Sequence, residues 1–151
     1  INRRIETATG IPSTTTIEAV MAALRAARIR RLGLLTPYTD DVVRAETRFL
    51  ADAGHTVAVT GGEPCVTPVE QGMLPPERWI EWAEPFAGKD IDGLLISCAG
   101  IRIAPVLQRI EDRLRRPVIT SNQAVVWNCL RILDLADRPQ GFGALLAGKF
   151  D

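Results

Sequence analysis

The sequence predicts a parallel α/β sheet covered by helices on both faces, and two observations carry that expectation. Short apolar runs at residues 32–35, 56–59, 91–96 and 117–120 alternate with stretches of helical period. The runs are continuous rather than polar-alternating, as in strands buried on both faces, and helices serve as the crossovers between them. In such sheets ligands sit beyond the carboxyl ends of the strands, so the residues following each run are where function is sought.

Each element has its own warrant. Thr15 and Glu18 have capping-box spacing, and Ile17, Val20, Met21 and Leu24 form one helix face ending near Ala27. The basic residues Arg25, Arg28, Arg30 and Arg31 fall in and beyond its last turn. Thr36-Pro37 closes the first strand. Asp40 and Asp41 then open a helix whose inward spacing is Val42, Glu46, Phe49, Leu50 and Ala53, with Gly54 as its stop. His55 reads as a surface residue before the second strand, which Gly61-Gly62 closes. Residues 61–74 show no convincing period and read as a long connection, often functional in compact domains. Pro76 suits the first turn of a helix with Trp79, Ile80, Ala83 and Phe86 inward. The third strand ends at Ser97-Cys98. A helix over 104–114 follows, with stripe Val106, Leu107, Ile110 and Leu114, and Arg113, Arg115 and Arg116 at its end suit the helix dipole. After the fourth strand, Ser121-Asn122 caps a helix to about Leu135, with Val125, Val126, Cys129, Leu130 and Leu133 inward. One further helical turn is expected at 144–146.

Composition narrows the function. The 151 residues suit one domain, or half of a two-domain protein, and at 46% hydrophobic the chain can build a core without staples. Eighteen basic residues balance eighteen acidic ones, so no global field draws nucleic acid or an anionic membrane. No apolar run is long enough to span a bilayer, and no secretory signal is evident. Three cysteines at no CxxC spacing and a single histidine give neither a zinc site nor a disulfide framework, so a reducing, cytoplasmic setting is expected. There is no GxGxxG or P-loop to hold a nucleotide.

Three strand ends are chemically distinctive: Thr36-Pro37-Tyr38, Ser97-Cys98-Ala99-Gly100 and Thr120-Ser121-Asn122. Amide donors in the small-residue turn at Ala99-Gly100 would favour a thiolate at Cys98 and could hold a developing oxyanion or enediolate. Tyr38, the only tyrosine, could donate its hydroxyl to a carboxylate. Thr36, Ser121 and Asn122 offer polar groups at the same edge, set against the plainer roles of closing a strand and capping a helix. Cys129 reads as core and Cys65 as a loop thiol. With His55 on the surface, Cys98 has no imidazole base, which argues against a Cys–His hydrolase.

The segments Pro12-Ser13-Thr14-Thr15, 34–42, 96–102 and 117–124, with Trp127 and Leu130-Arg131, resemble the aspartate/glutamate racemase superfamily. The similarity is greatest to its maleate cis–trans isomerase and arylmalonate decarboxylase branch. The resemblance implies a flavodoxin-like half of a two-domain fold with the active site between the halves. It matches Cys98 to the cysteine of the second half, Tyr38 to a carboxylate-binding tyrosine, and the amides around Cys98, Ala99 and Gly100 to the carboxylate cradle. It divides the chain into a partial N-terminal region with the first helix (1–30), the cysteine-bearing α/β domain (31–135) and a tail (136–151), the first-half domain being absent. Val43 and Thr67-Pro68 stand where relatives have Asn.

The implied function is a cofactor-independent isomerase, racemase or decarboxylase of a small carboxylic or dicarboxylic acid, nearest to a maleate isomerase. It would use Cys98 as nucleophile or acid/base, with no metal, pyridoxal phosphate or nicotinamide, and form a homo-oligomer. Two other classes stand beside it: a noncatalytic ligand-binding or assembly domain of the same fold, and a redox-sensing thiol protein pairing Cys65 with Cys98.

Overall fold

The computed structural model describes all 151 residues. Helices α1 (Asn2–Thr9) and α2 (Thr16–Ala26) lead into β1 (Arg31–Leu35), and α3 (Asp40–Asp52) crosses to β2 (Thr56–Gly61). Helices α4 (Pro68–Met73) and α5 (Pro76–Ala83), then a short 3₁₀ turn, precede β3 (Gly93–Ile96). Helix α6 (Leu107–Leu114), β4 (Val118–Thr120), α7 (Ser121–Ile132) and α8 (Gly143–Leu146) complete the chain. The four strands are all parallel in the order β2-β1-β3-β4. Leu32 pairs with Gly93 through to Leu35 with Ile96, and Leu94 with Val118 through to Ile96 with Thr120.

Strand alternation sends side chains to both faces. Leu35, Leu94, Ile96 and Val118 pack with Trp79 and Ile80 of α5 and Ile110 and Leu114 of α6. Leu32, Leu34, Leu95 and Ile119 meet Leu24 of α2, Leu50 of α3, Trp127 of α7 and Leu145 of α8. Apolar runs without alternation are what a sheet covered on both sides requires.

The elements depart from the sequence reading in a few places, each with a physical reason. Helix α1 was not expected and buries none of its residues; Asn2 ties it to Glu18 of α2. Helix α4 lies inside the stretch read as irregular. Helix α6 begins at Leu107 rather than Ala104, which lengthens the loop after Cys98. The cap of α7 is Thr120, not Ser121-Asn122: its side chain accepts from the Gln123 amide, and the Gln123 side chain accepts from the Thr120 amide. Because β4 runs straight into α7, Ser121, Ala124 and Trp127 face the sheet. Of the face expected to be inward, Val125 and Leu130 pack against the core, whereas Val126 and Leu133 are exposed and Cys129 is only half-buried. In α3 only Leu50 is buried, and Val42 and Phe49 are exposed. His55 is buried, not at the surface: its Nδ1 lies 2.9 Å from the Ile29 carbonyl, a partner that makes burial of the ring tolerable.

Candidate active site

The ends of β1 and β3 are locked together before any chemistry is considered. The Ser97 amide donates to the Leu35 carbonyl at 3.0 Å, and the Thr36 hydroxyl donates to the Ser97 carbonyl at 2.8 Å. Thr36, expected to face substrate, is buried and its hydroxyl proton is engaged in this latch. The latch fixes where Tyr38 and Cys98 leave their strands.

Cys98 is 3% exposed. Its thiol donates to Oε1 of Gln71 at 3.4 Å. Tyr38, half-buried against the same cluster, sets its hydroxyl beside the sulfur. Burial pushes that hydroxyl above its ordinary value, and Cys98 and then Glu46 act in the same direction, so Tyr38 stays a donor near neutral pH. Glu46, reaching from α3, has a buried Oε2 without a hydrogen-bond partner. Burial raises its carboxyl, opposed by the Ser97 hydroxyl. Ala99 and Gly100 are exposed, and neither amide donates a hydrogen bond within the protein, so both are free to face a ligand.

The cover over Cys98 is α4 and the strand leading to it. The Cys65 amide donates to the Pro37 carbonyl at 2.8 Å. Thr67 and Glu70 close a capping box around Pro68. Gly72 approaches so closely that a Cβ there would lie 3.4 Å from the Gly100 carbonyl oxygen. Arg102, from the loop after Cys98, donates to the carbonyls of Met73 at 3.2 Å and Leu74 at 3.3 Å, holding the far end of α4. Cys65, half-buried in this strap, has its thiol pushed up by burial and then by the negative charge of Glu70.

The parallel sheet brings Thr36, Tyr38, Cys98, Ser121 and Asn122 to one edge. Ser121 is buried at the start of α7, and Asn122 donates to the Ile101 carbonyl at 3.2 Å, bracing the Cys98 loop from the other side. An apolar recess of about 300 Å³ opens beside Asn122, lined by Ile103, Leu107, Val126 and Phe142 among others. Three larger recesses lie away from the thiol: one of about 490 Å³ around Arg25, Arg28, Arg30 and His55, one of about 530 Å³ between α3 and β2, and one of about 370 Å³ beside Glu111 and Lys149. Three residues that sequence reasoning passed over now surround the thiol or its cover: Gln71, Arg102 and Glu46. The Thr67–Glu70 capping box was a readable signal for the helix that carries Gln71. The helical spacing put Glu46 on the inward side of α3 without giving it a role, and Arg102 closes the segment 96–102.

A doubly covered parallel sheet with a sheltered thiol at a strand end, a protonated tyrosine beside it and open peptide donors after it defines an α/β protein with a buried cysteine at the sheet edge where ligands bind. The arylmalonate decarboxylase family model matches residues 1–146, and the chain belongs to that family. It is 34% identical over 131 residues to the arylmalonate decarboxylase of Bordetella bronchiseptica, covering 83% of this chain and 53% of that protein. It is 28% identical over 129 residues to the maleate isomerase of Nocardia farcinica, covering 85% of this chain and 51% of that protein. A crystal structure of arylmalonate decarboxylase superposes with a TM-score of 0.86 at 29% identity, over 96% of this chain and 65% of that one. The chain thus spans about half the length of the curated relatives it matches. No helix is long and apolar enough to cross a membrane.

Proposed function

We propose that this chain carries the cysteine-bearing half of a cofactor-independent enzyme that protonates the carbon next to a carboxylate, as in decarboxylation of a 2-substituted malonate. The observation that carries this is the Cys98 thiol, acting as a hydrogen-bond donor beside Tyr38 and the two open amides of Ala99 and Gly100. A carboxylate would sit on those amides and the Tyr38 hydroxyl. As the C–C bond to the leaving carboxylate breaks, CO₂ departs and its electron pair passes into the retained carboxylate as an enediolate. The same donors stabilise that charge where it develops. Cys98 then gives its proton to the α-carbon and recovers one from water. Cys98 is the catalytic residue in this reading, and Tyr38, Ala99 and Gly100 bind substrate. Thr36 and Asn122 hold the strand ends, and Ser121 starts α7.

Isomerisation of maleate is the second reading, in which the Cys98 thiolate adds to the double bond and leaves after rotation. Similarity to maleate isomerases supports it. A cysteine-to-serine mutant of the Nocardia farcinica maleate isomerase has been solved with a covalently bound succinylcysteine intermediate, so in that protein a cysteine other than the replaced one carries the adduct.

The test is turnover by the complete protein on phenylmalonate and on maleate in D₂O. Decarboxylation with one deuterium at the product α-carbon, abolished in Cys98→Ser, is the expected result. Fumarate from maleate would select the second reading. No turnover of either, with ligand binding retained, would leave the noncatalytic binding domain.

A further inference from the structure

We infer that Gln71 is a positioning residue for the Cys98 thiol, holding it through the amide oxygen when protonated and through the amide nitrogen when ionised. This rests on the reading of Cys98 as the reacting thiol. Gln71 Oε1 accepts the S–H at 3.4 Å, while its Nε2 bonds to no protein group. A half-turn about the last side-chain bond exchanges the two ends of the amide, presenting an N–H to the sulfur without moving the backbone. The backbone is held: the capping box fixes one end of α4, Arg102 the other, and Gly72 rests against Gly100.

The surroundings supply no cation to hold a thiolate. The titratable groups around the thiol are Tyr38 from the β1 loop, Glu46 from α3 and Cys65 from the strap, none of them cationic. Glu63 and Glu70 stand further along the strap. Arg102 is turned to the α4 carbonyls, and His55 lies at the opposite end of the sheet, before β2. Support for a thiolate therefore comes from neutral donors, the Tyr38 hydroxyl and the Gln71 amide, and Gln71 already holds the protonated thiol through its oxygen.

Alkylation by iodoacetamide across pH, followed at the Cys98 peptide by mass spectrometry, tests this without any substrate. Opening of the strap scales the rate equally at every pH and leaves the midpoint in place, so the midpoint reports the thiol's partners alone. Gln71→Glu, equal in shape but an acceptor only, is expected to move the midpoint up by about one pH unit and slow alkylation roughly tenfold at pH 7. Gln71→Met, which offers neither end, is expected to move it up by less, because the lost bond to the ion is the stronger one. A Met midpoint that is unchanged or lower would overturn the inference, since it would leave Gln71 as at most an acceptor. If Met disturbs the fold, an unchanged Glu midpoint is decisive in the same sense. Shifted midpoints in a protein that turns over neither phenylmalonate nor maleate would uphold the role of Gln71 while the proposed function failed.

Discussion

Cys98 and Cys129 are both thiols on largely apolar faces, yet substitution should separate them. Cys98→Ser is close to isosteric at a strand end, so the melting temperature should hold within a few degrees while turnover falls by orders of magnitude, because a hydroxyl is a far weaker acid and nucleophile near neutral pH. Cys129→Ser should spare turnover. Since Cys129 is only half-buried, its hydroxyl reaches water and the cost should fall at or below the low end of the roughly 1–3 kcal/mol for a buried, unpaired one. Tyr38→Phe keeps the ring packed and removes the donor. Loss of a hydrogen bond to a charged group, about 1.5–3 kcal/mol, should lower kcat/KM by one to two orders of magnitude. Cys98 and Tyr38 were legible in the sequence because strand ends are local features and the sheet rule says which edge matters. Gln71 was not, because its relevance comes from approach across the fold: it is 27 positions from the sulfur it contacts.

At the scale of the element, α4 is the clearest failure of pattern reading. Six residues with no buried side chain have no apolar stripe for a period to find. What holds it is a cap, a proline at its first turn and a tether from Arg102, and only the first two are visible in sequence. Thr67→Ala should cost about 1 kcal/mol of local helix stability. Arg102→Ala should speed amide exchange through residues 66–74 and raise Cys98 alkylation by a common factor at every pH, the opposite signature to a Gln71 substitution. The four strands and the long helices, by contrast, were legible because burial on both faces imposes continuous apolar runs. The inner face of α7 is rotated from the expected one, because a helix that begins directly at a strand end inherits its rotation from the strand: Val125 and Leu130 still pack, but Ser121 goes inward and Val126 outward.

For the whole molecule, the ionisable groups pull stability in two directions. Burial raises the carboxyls of Glu46 and Glu111, the latter against the lowering effect of the Val118 and Ala144 amides. In the folded state these groups keep protons that the unfolded chain has released. Their burial therefore costs nothing below the ordinary glutamate value and weakens the fold as pH rises through the raised values. Asp92 behaves oppositely: amides of Arg31 and Arg30 hold its carboxyl low, so the stability it contributes is present above the ordinary aspartate value and lost on acidification. Urea unfolding of Glu46→Leu at pH 5 and pH 8 should show a gain over wild type that is larger at pH 8; an equal gain at both would mean that the group is already ionised at the lower pH. The accessible surface, 8391 Å², exceeds the roughly 7,500 Å² expected of a compact chain this size. Helices α1 and α4, which bury no residue, lie on that additional surface.

The strand order also dictates a sequence of events during synthesis. β1 is the first of these four strands in sequence but interior in the sheet, so one of its edges has no partner until β3 has been made. The Thr36–Ser97 latch spans 61 residues, and a ribosome that has exposed only the β1–α3–β2 portion leaves Leu32 to Leu35 as a bare apolar edge, a surface that invites pairing with other chains. Nascent chains halted near Asp90 should be digested readily by protease and bound by chaperones, whereas those halted beyond Ile132 should resist digestion. The corner that holds Cys98 thus takes shape only once β3 has joined β1.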